Sequence, residues 1–72
     1  MFSEYTEQVN LLKAADAHFC DVFDRHDALD QKIKRMEAHQ ELGTTLEIEQ
    51  LKKENLALKD QVWTQLRRSM TQ

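Results

Sequence analysis

The chain holds one glycine, no proline and a single cysteine. Each scarcity excludes something. With glycine and proline so rare, few positions interrupt a helix. The valine- and threonine-rich runs that favour strands are missing too. One glycine cannot supply a GxxxxGK[S/T] phosphate loop, which needs two. Cys20 by itself forms no internal disulfide, and the chain contains neither Cys-x-x-Cys nor His-Glu-x-x-His. No apolar stretch approaches the roughly 18 residues of a membrane span. The N-terminus lacks the basic and apolar segments of a signal peptide, so a cytoplasmic location is expected. A net charge of −3 provides no overall attraction for nucleic acid or anionic lipid.

What remains is helical pattern. Phe19, Val22, His26, Leu29, Ile33, Met36 and Gln40 recur alternately three and four residues apart, and Ile48, Leu51, Asn55, Leu58, Val62 and Gln65 keep the same rhythm. This spacing is the seam of a helix packed lengthwise on another. Gly43 lies between the two seams. The expected fold is therefore all-α: an antiparallel, coiled-coil-like two-helix hairpin with a short additional N-terminal helix, forming one small domain over residues 1–72. The short helix is placed at about 3–14 with Ser3 as its cap, the long ones at about 17–42 and 45–70, and a frayed tail at 71–72. Asp16 is an N-cap residue and marks a break or bend. Gly43 suits a C′ position with positive φ. Thr44 and Glu47 are spaced as a capping box that opens the third helix.

Folding the seams about Gly43 pairs Met36 with Leu51, Leu29 with Leu58 and Val22 with Gln65. Lys34 then flanks Glu54, and Asp21 faces Arg67. A second apolar stripe, Leu56, Trp63, Leu66 and Met70, points away from the seam. The first helix, with Tyr5, Val9 and Leu12 on one face, has the length to fold over it. Alternatively the stripe is an oligomer or partner surface, with the first helix mobile or exchanged between subunits.

Residues able to carry chemistry are few. His18 and Cys20 lie about 200° apart on a helix and cannot share one ion, so no metal site is expected. His26 within the seam reads as a buried histidine bonded to a neighbour such as Asp30, or as a pH-sensitive contact. Asn55 at a seam position is a register device. Asp21, Asp24, Asp27 and Asp30 recur every three residues, without the glycine turn of a calcium loop, and read as a solvated face. Lys34, Arg35, Lys52 and Lys53 form a basic zone near the turn, but no aromatics interleave them. No catalytic or cofactor-binding constellation emerges, so neither an enzyme nor a small-molecule substrate is expected.

Several stretches resemble the YdcH family of small bacterial proteins of unknown function. They are Met1-Phe2, Leu12-Lys13, His18-Phe19 through Phe23, His26, Leu29-Asp30 and Ile33, then Leu51-Lys52-Lys53, Leu56 and Leu58-Lys59-Asp60. Family members often carry Asn-Pro where this chain has Asp16-Ala17, and proline there would mark the same helix start. The resemblance implies a compact helical protein of the bacterial cytoplasm and supplies no catalytic residues. The leading expectation is a non-enzymatic module that binds a protein partner or its own copies. The alternative is a weak nucleic-acid or anionic-surface binder acting through the basic zone.

Overall fold

The chain turns its first corner at a single residue, Asp16. A 3-10 turn, Ser3–Tyr5, leads into α1 (Thr6–Ala15), and α2 (Ala17–Glu37) starts immediately after the corner. The Asp16 amide donates to the Leu12 carbonyl at 2.9 Å, closing α1, and its own carbonyl accepts from the Cys20 amide at 3.0 Å. Its carboxylate Oδ1 accepts from the amides of His18 at 3.0 Å and Phe19 at 3.2 Å. One extended residue (φ −136°, ψ 105°) thus serves as C-cap and N-cap, and no proline is needed. Asp16→Ala is expected to cost about 1 kcal/mol, with Asp16→Asn losing much less. Urea denaturation of the two variants checks this.

The computed structural model describes residues 3–39 and 42–70, the side chain of Ser3 excepted. The proposed seam position Gln40, the Met1-Phe2 pair and the tail at 71–72 lie outside the described residues. At the N-terminus the α-helix begins at Thr6 and not at the expected position 3, with Tyr5 as its N-cap residue and no cap bond from the Tyr5 side chain. A tight 3-10 turn is a common helix entry, and here it sets the Tyr5 ring against Trp63.

The second correction concerns the turn. α2 stops at Glu37, about a turn earlier than the periodicity suggests. The amides of Ala38 and His39 bond back to Lys34 and Met36 at 3.0 and 3.2 Å. His39, with φ 61°, takes the left-handed backbone expected of Gly43, which has no positive φ. Histidine is among the residues that enter this region most readily. At Gly43 a Cβ would meet the methyl carbon of Met36, the flexible end of a side chain buried at the end of α2, which would have to shift.

α3 (Thr45–Met70) follows at once. The Thr44 hydroxyl accepts from the Glu47 amide at 3.1 Å, and the Thr44 carbonyl from the Ile48 amide at 3.0 Å. The described residues form an all-α structure with no strand. α2 and α3 make the most extensive pairing, and α1 lies against both. Its long dimension, 43 Å, reflects the 26 residues of α3.

The core sits where all three helices meet. Val9 of α1, Phe19 and Val22 of α2, and Val62 and Leu66 of α3 are buried together, with Tyr5, Leu12, Phe23, Leu58 and Trp63 packed around them. Towards the turn, His26, Ile33 and Met36 of α2 are also buried. On α3, the seam residues Ile48, Leu51 and Asn55 are half-buried, as is Leu29 of α2.

The flanking charges pair differently from the expected register. Lys34 bonds Asp30 at 3.1 Å rather than Glu54, and Arg25 bonds Asp21 at 3.3 Å, leaving Arg67 elsewhere. Residues four apart on one helix are neighbours whatever the helix packs against, so they win the exposed side chains. Lys13–Asp24 at 3.1 Å and Lys52–Glu37 at 2.9 Å are ion pairs that cross between elements.

Candidate interaction surfaces

The apolar stripe of α3 is split by α1. Tyr5 meets Trp63 edge to face, ring centroids 5.3 Å apart, and Val9 is buried in one cluster with Leu66, which has no exposed surface. Leu66 therefore belongs to the core, as expected if the first helix folds over the stripe, and not to a partner surface, which corrects the alternative reading of that residue. It lies one helical turn beyond Val62, on the border between seam and stripe, and only the arrival of α1 decides its side. Leu56 and Met70, one at each side of the covered centre, remain 57% and 41% exposed.

The structure adds exposed leucines that periodicity did not single out. Leu11 is 66% exposed, and with Leu12, Ala15 and Met70 it lines an apolar groove of about 320 Å³ between α1 and α3. Adjacent helical residues point about 100° apart. Leu11 and Leu12 therefore cannot both enter one narrow seam, and that adjacency was the available signal. Leu42 and Leu46 are exposed beside the turn. A further groove, between α2 and α3, has Leu29 and Leu58 in its lining.

The basic zone is interrupted by acids. Lys34 and Lys52 are bonded to Asp30 and Glu37, while Arg35 and Lys53 are exposed. The aspartates at intervals of three are each engaged nearby. Asp21 holds Arg25, Asp24 holds Lys13, Asp27 accepts from Gln31 at 3.1 Å, and Asp30 holds Lys34. Surface pairs of this kind contribute about 0–1 kcal/mol each, so they neutralise the face more than they stabilise it. Among the described residues no three His, Cys, Asp or Glu side chains gather as metal ligands. His18 is exposed, and the Cys20 thiol donates to Asp24 at 3.6 Å.

His26 is only 4% exposed. Burial pushes its pKa below the ordinary 6.5. Asp30 and Asp27 on its own helix oppose that shift, and Lys59 on α3 reinforces it. The folded state thus takes up the proton less readily than the unfolded chain. Its stabilisation is complete above about pH 6.5 and declines as pH falls through that value towards the folded pKa. The denaturation midpoint should drop between about pH 7.5 and 5.5, and less so in His26→Gln. An identical drop in that variant would remove His26 as the cause. On α3, the buried Asn55 Oδ1 accepts no hydrogen bond. An unsatisfied buried carbonyl costs about 1–3 kcal/mol, a cost typical of residues that set register.

A short helical protein with apolar side chains left uncovered around a three-helix core is the class these features define. This chain belongs to the DUF465 family, described as proteins of unknown function, whose model matches residues 19–66. It is 37% identical over 62 residues to "Uncharacterized protein YdcH" of Escherichia coli (strain K12), covering 86% of this chain and 84% of that relative. The same identity and coverage hold for the protein of that name from Shigella flexneri. No solved structure matches the chain. The matched region spans α2, the turn and most of α3. Among the described residues no helix is long and apolar enough to cross a membrane.

Proposed function

We propose that this protein is a non-enzymatic interaction module of the bacterial cytoplasm, an antiparallel, coiled-coil-like hairpin of α2 and α3 with α1 folded across one face. The cross-element contacts support that geometry: Glu37 near the end of α2 reaches Lys52 in the early part of α3, while Phe19 and Val22 cluster with Val62 and Leu66. The observation that carries the functional reading is the exposure of Leu11, Leu56 and Met70 around the covered centre of the stripe. A fold this small buries little apolar surface of its own, and apolar side chains left in water at its edge are binding area for another protein. A nucleic-acid role finds less support, because Lys34 and Lys52 already hold carboxylates.

Site-specific photocrosslinking in the native host tests this reading. A photoreactive residue at position 56 or 70 should yield discrete protein adducts, whereas one at the polar positions Glu49 or Lys53 should not. Absence of adducts from positions 56 and 70 would overturn it.

A further inference from the structure

The face of the α2–α3 pair turned away from α1 carries a shallow groove of about 460 Å³. Ala28 and Leu29 of α2 and Leu58 of α3 supply its apolar lining, with Arg25 and Lys32 on the α2 side and Glu54 on the α3 side. α1 does not reach it. Phe23 and Trp63 are the side chains that meet Lys13 and Tyr5. At about 100° per residue, Leu29 is turned about 120° from Phe23, and Leu58 about 140° from Trp63. Arg25 is held by Asp21. Among the described residues no ion pair engages Lys32 or Glu54, both of which are exposed.

We propose that this groove is a dimerisation face, occupied by a second copy of the chain. The argument is charge complementarity under symmetry. With Arg25 paired to Asp21, Lys32 on the α2 rim and Glu54 on the α3 rim carry opposite charges, and most closed dimers are two-fold. A two-fold axis running along the groove lays each α2 over the partner's α3. Lys32 then meets the partner's Glu54, and Leu29 meets the partner's Leu58. A two-fold axis across the groove would instead lay α2 on α2 and bring like charges together, which disfavours that register. The product is a two-layer four-helix bundle in which neighbouring helices alternate in direction, with each α1 on an outer face. Burying Leu29 and Leu58 enlarges a core that is small for independent stability. This assignment of a partner rests on the interaction-module reading above, but uses a different face from Leu56 and Met70.

Light scattering and equilibrium sedimentation over a concentration series, to millimolar chain, provide the test. The wild type should dimerise. Lys32→Glu and Glu54→Lys each place two like-charge contacts in the dimer and should weaken it about tenfold or more. Mixing the two variants should restore a heterodimer, because every contact is then between opposite charges. Both substitutions are at exposed positions, and circular dichroism confirms that the helices persist. A wild type that stays monomeric throughout overturns the proposal, as does a dimer indifferent to both single swaps. Crosslinks at positions 56 and 70 would survive either failure, so this assignment and the interaction-module reading fall separately.

Discussion

Phe19→Ala is expected to remove about 3–5 kcal/mol of folding free energy, the usual cost of deleting a large buried side chain. Phe19 has no exposed surface and stands at the junction of the three helices, against Val9, Val62 and Leu66. Its ring also lies 5.9 Å from that of Phe23. At roughly 0.05–0.15 kcal/mol per residue, a 72-residue fold holds about 4–11 kcal/mol in total. The loss is therefore a large share of what exists, and the variant should be substantially unfolded at room temperature or melt with little cooperativity. Thermal unfolding followed by circular dichroism decides it. A melting temperature within a few degrees of wild type would mean that α1 does not close over this end of the α2–α3 pair.

Leu66→Ala and Leu56→Ala should separate just as sharply, although both residues lie on the α3 stripe. Leu66 is fully buried and should lose about 3–5 kcal/mol, including the cavity left beside Val62. Leu56 is 57% exposed and should change stability by no more than about 0.5 kcal/mol. Its effect belongs in binding, read as the loss of crosslinks from neighbouring exposed positions. Urea titrations of the purified variants measure the first contrast. Equal destabilisation by the two would put the whole stripe under α1 and remove the apolar surface on which the interaction reading depends.

The division of that stripe shows how much of the candidate site was legible. Its four members are evident from spacing, because periodicity needs only the helical repeat. Which of them face water is left open between two readings, because the residues that cover Leu66 and Trp63 lie some sixty positions earlier in the chain. The basic zone followed the same pattern. Its lysines are obvious in the sequence, yet the carboxylates that hold them depend on side-chain choices made after the helices form. Lys34 chose Asp30 on its own helix, and Lys52 chose Glu37 on another. Neither choice is encoded in charge spacing alone, since several acids lie within reach of each lysine.

Local rules account for what could be read without coordinates. The all-α class follows from the near absence of helix-breaking residues, and the corner at Asp16 and the start of α3 at Thr44 follow from bonds reaching two or three residues along the chain. Those interactions are complete within a single turn, so the order of residues suffices to specify them. Long-range packing settled the rest. At the turn α2 ended at Glu37 and the left-handed backbone fell to His39, neither of which the seam spacing reports. The placement of Tyr5 on Trp63 and of Val9 in one cluster with Leu66 likewise joins residues far apart in the chain. Such contacts depend on volumes and directions that exist only once three helices share one core, and no periodicity in one helix reports the shape of another.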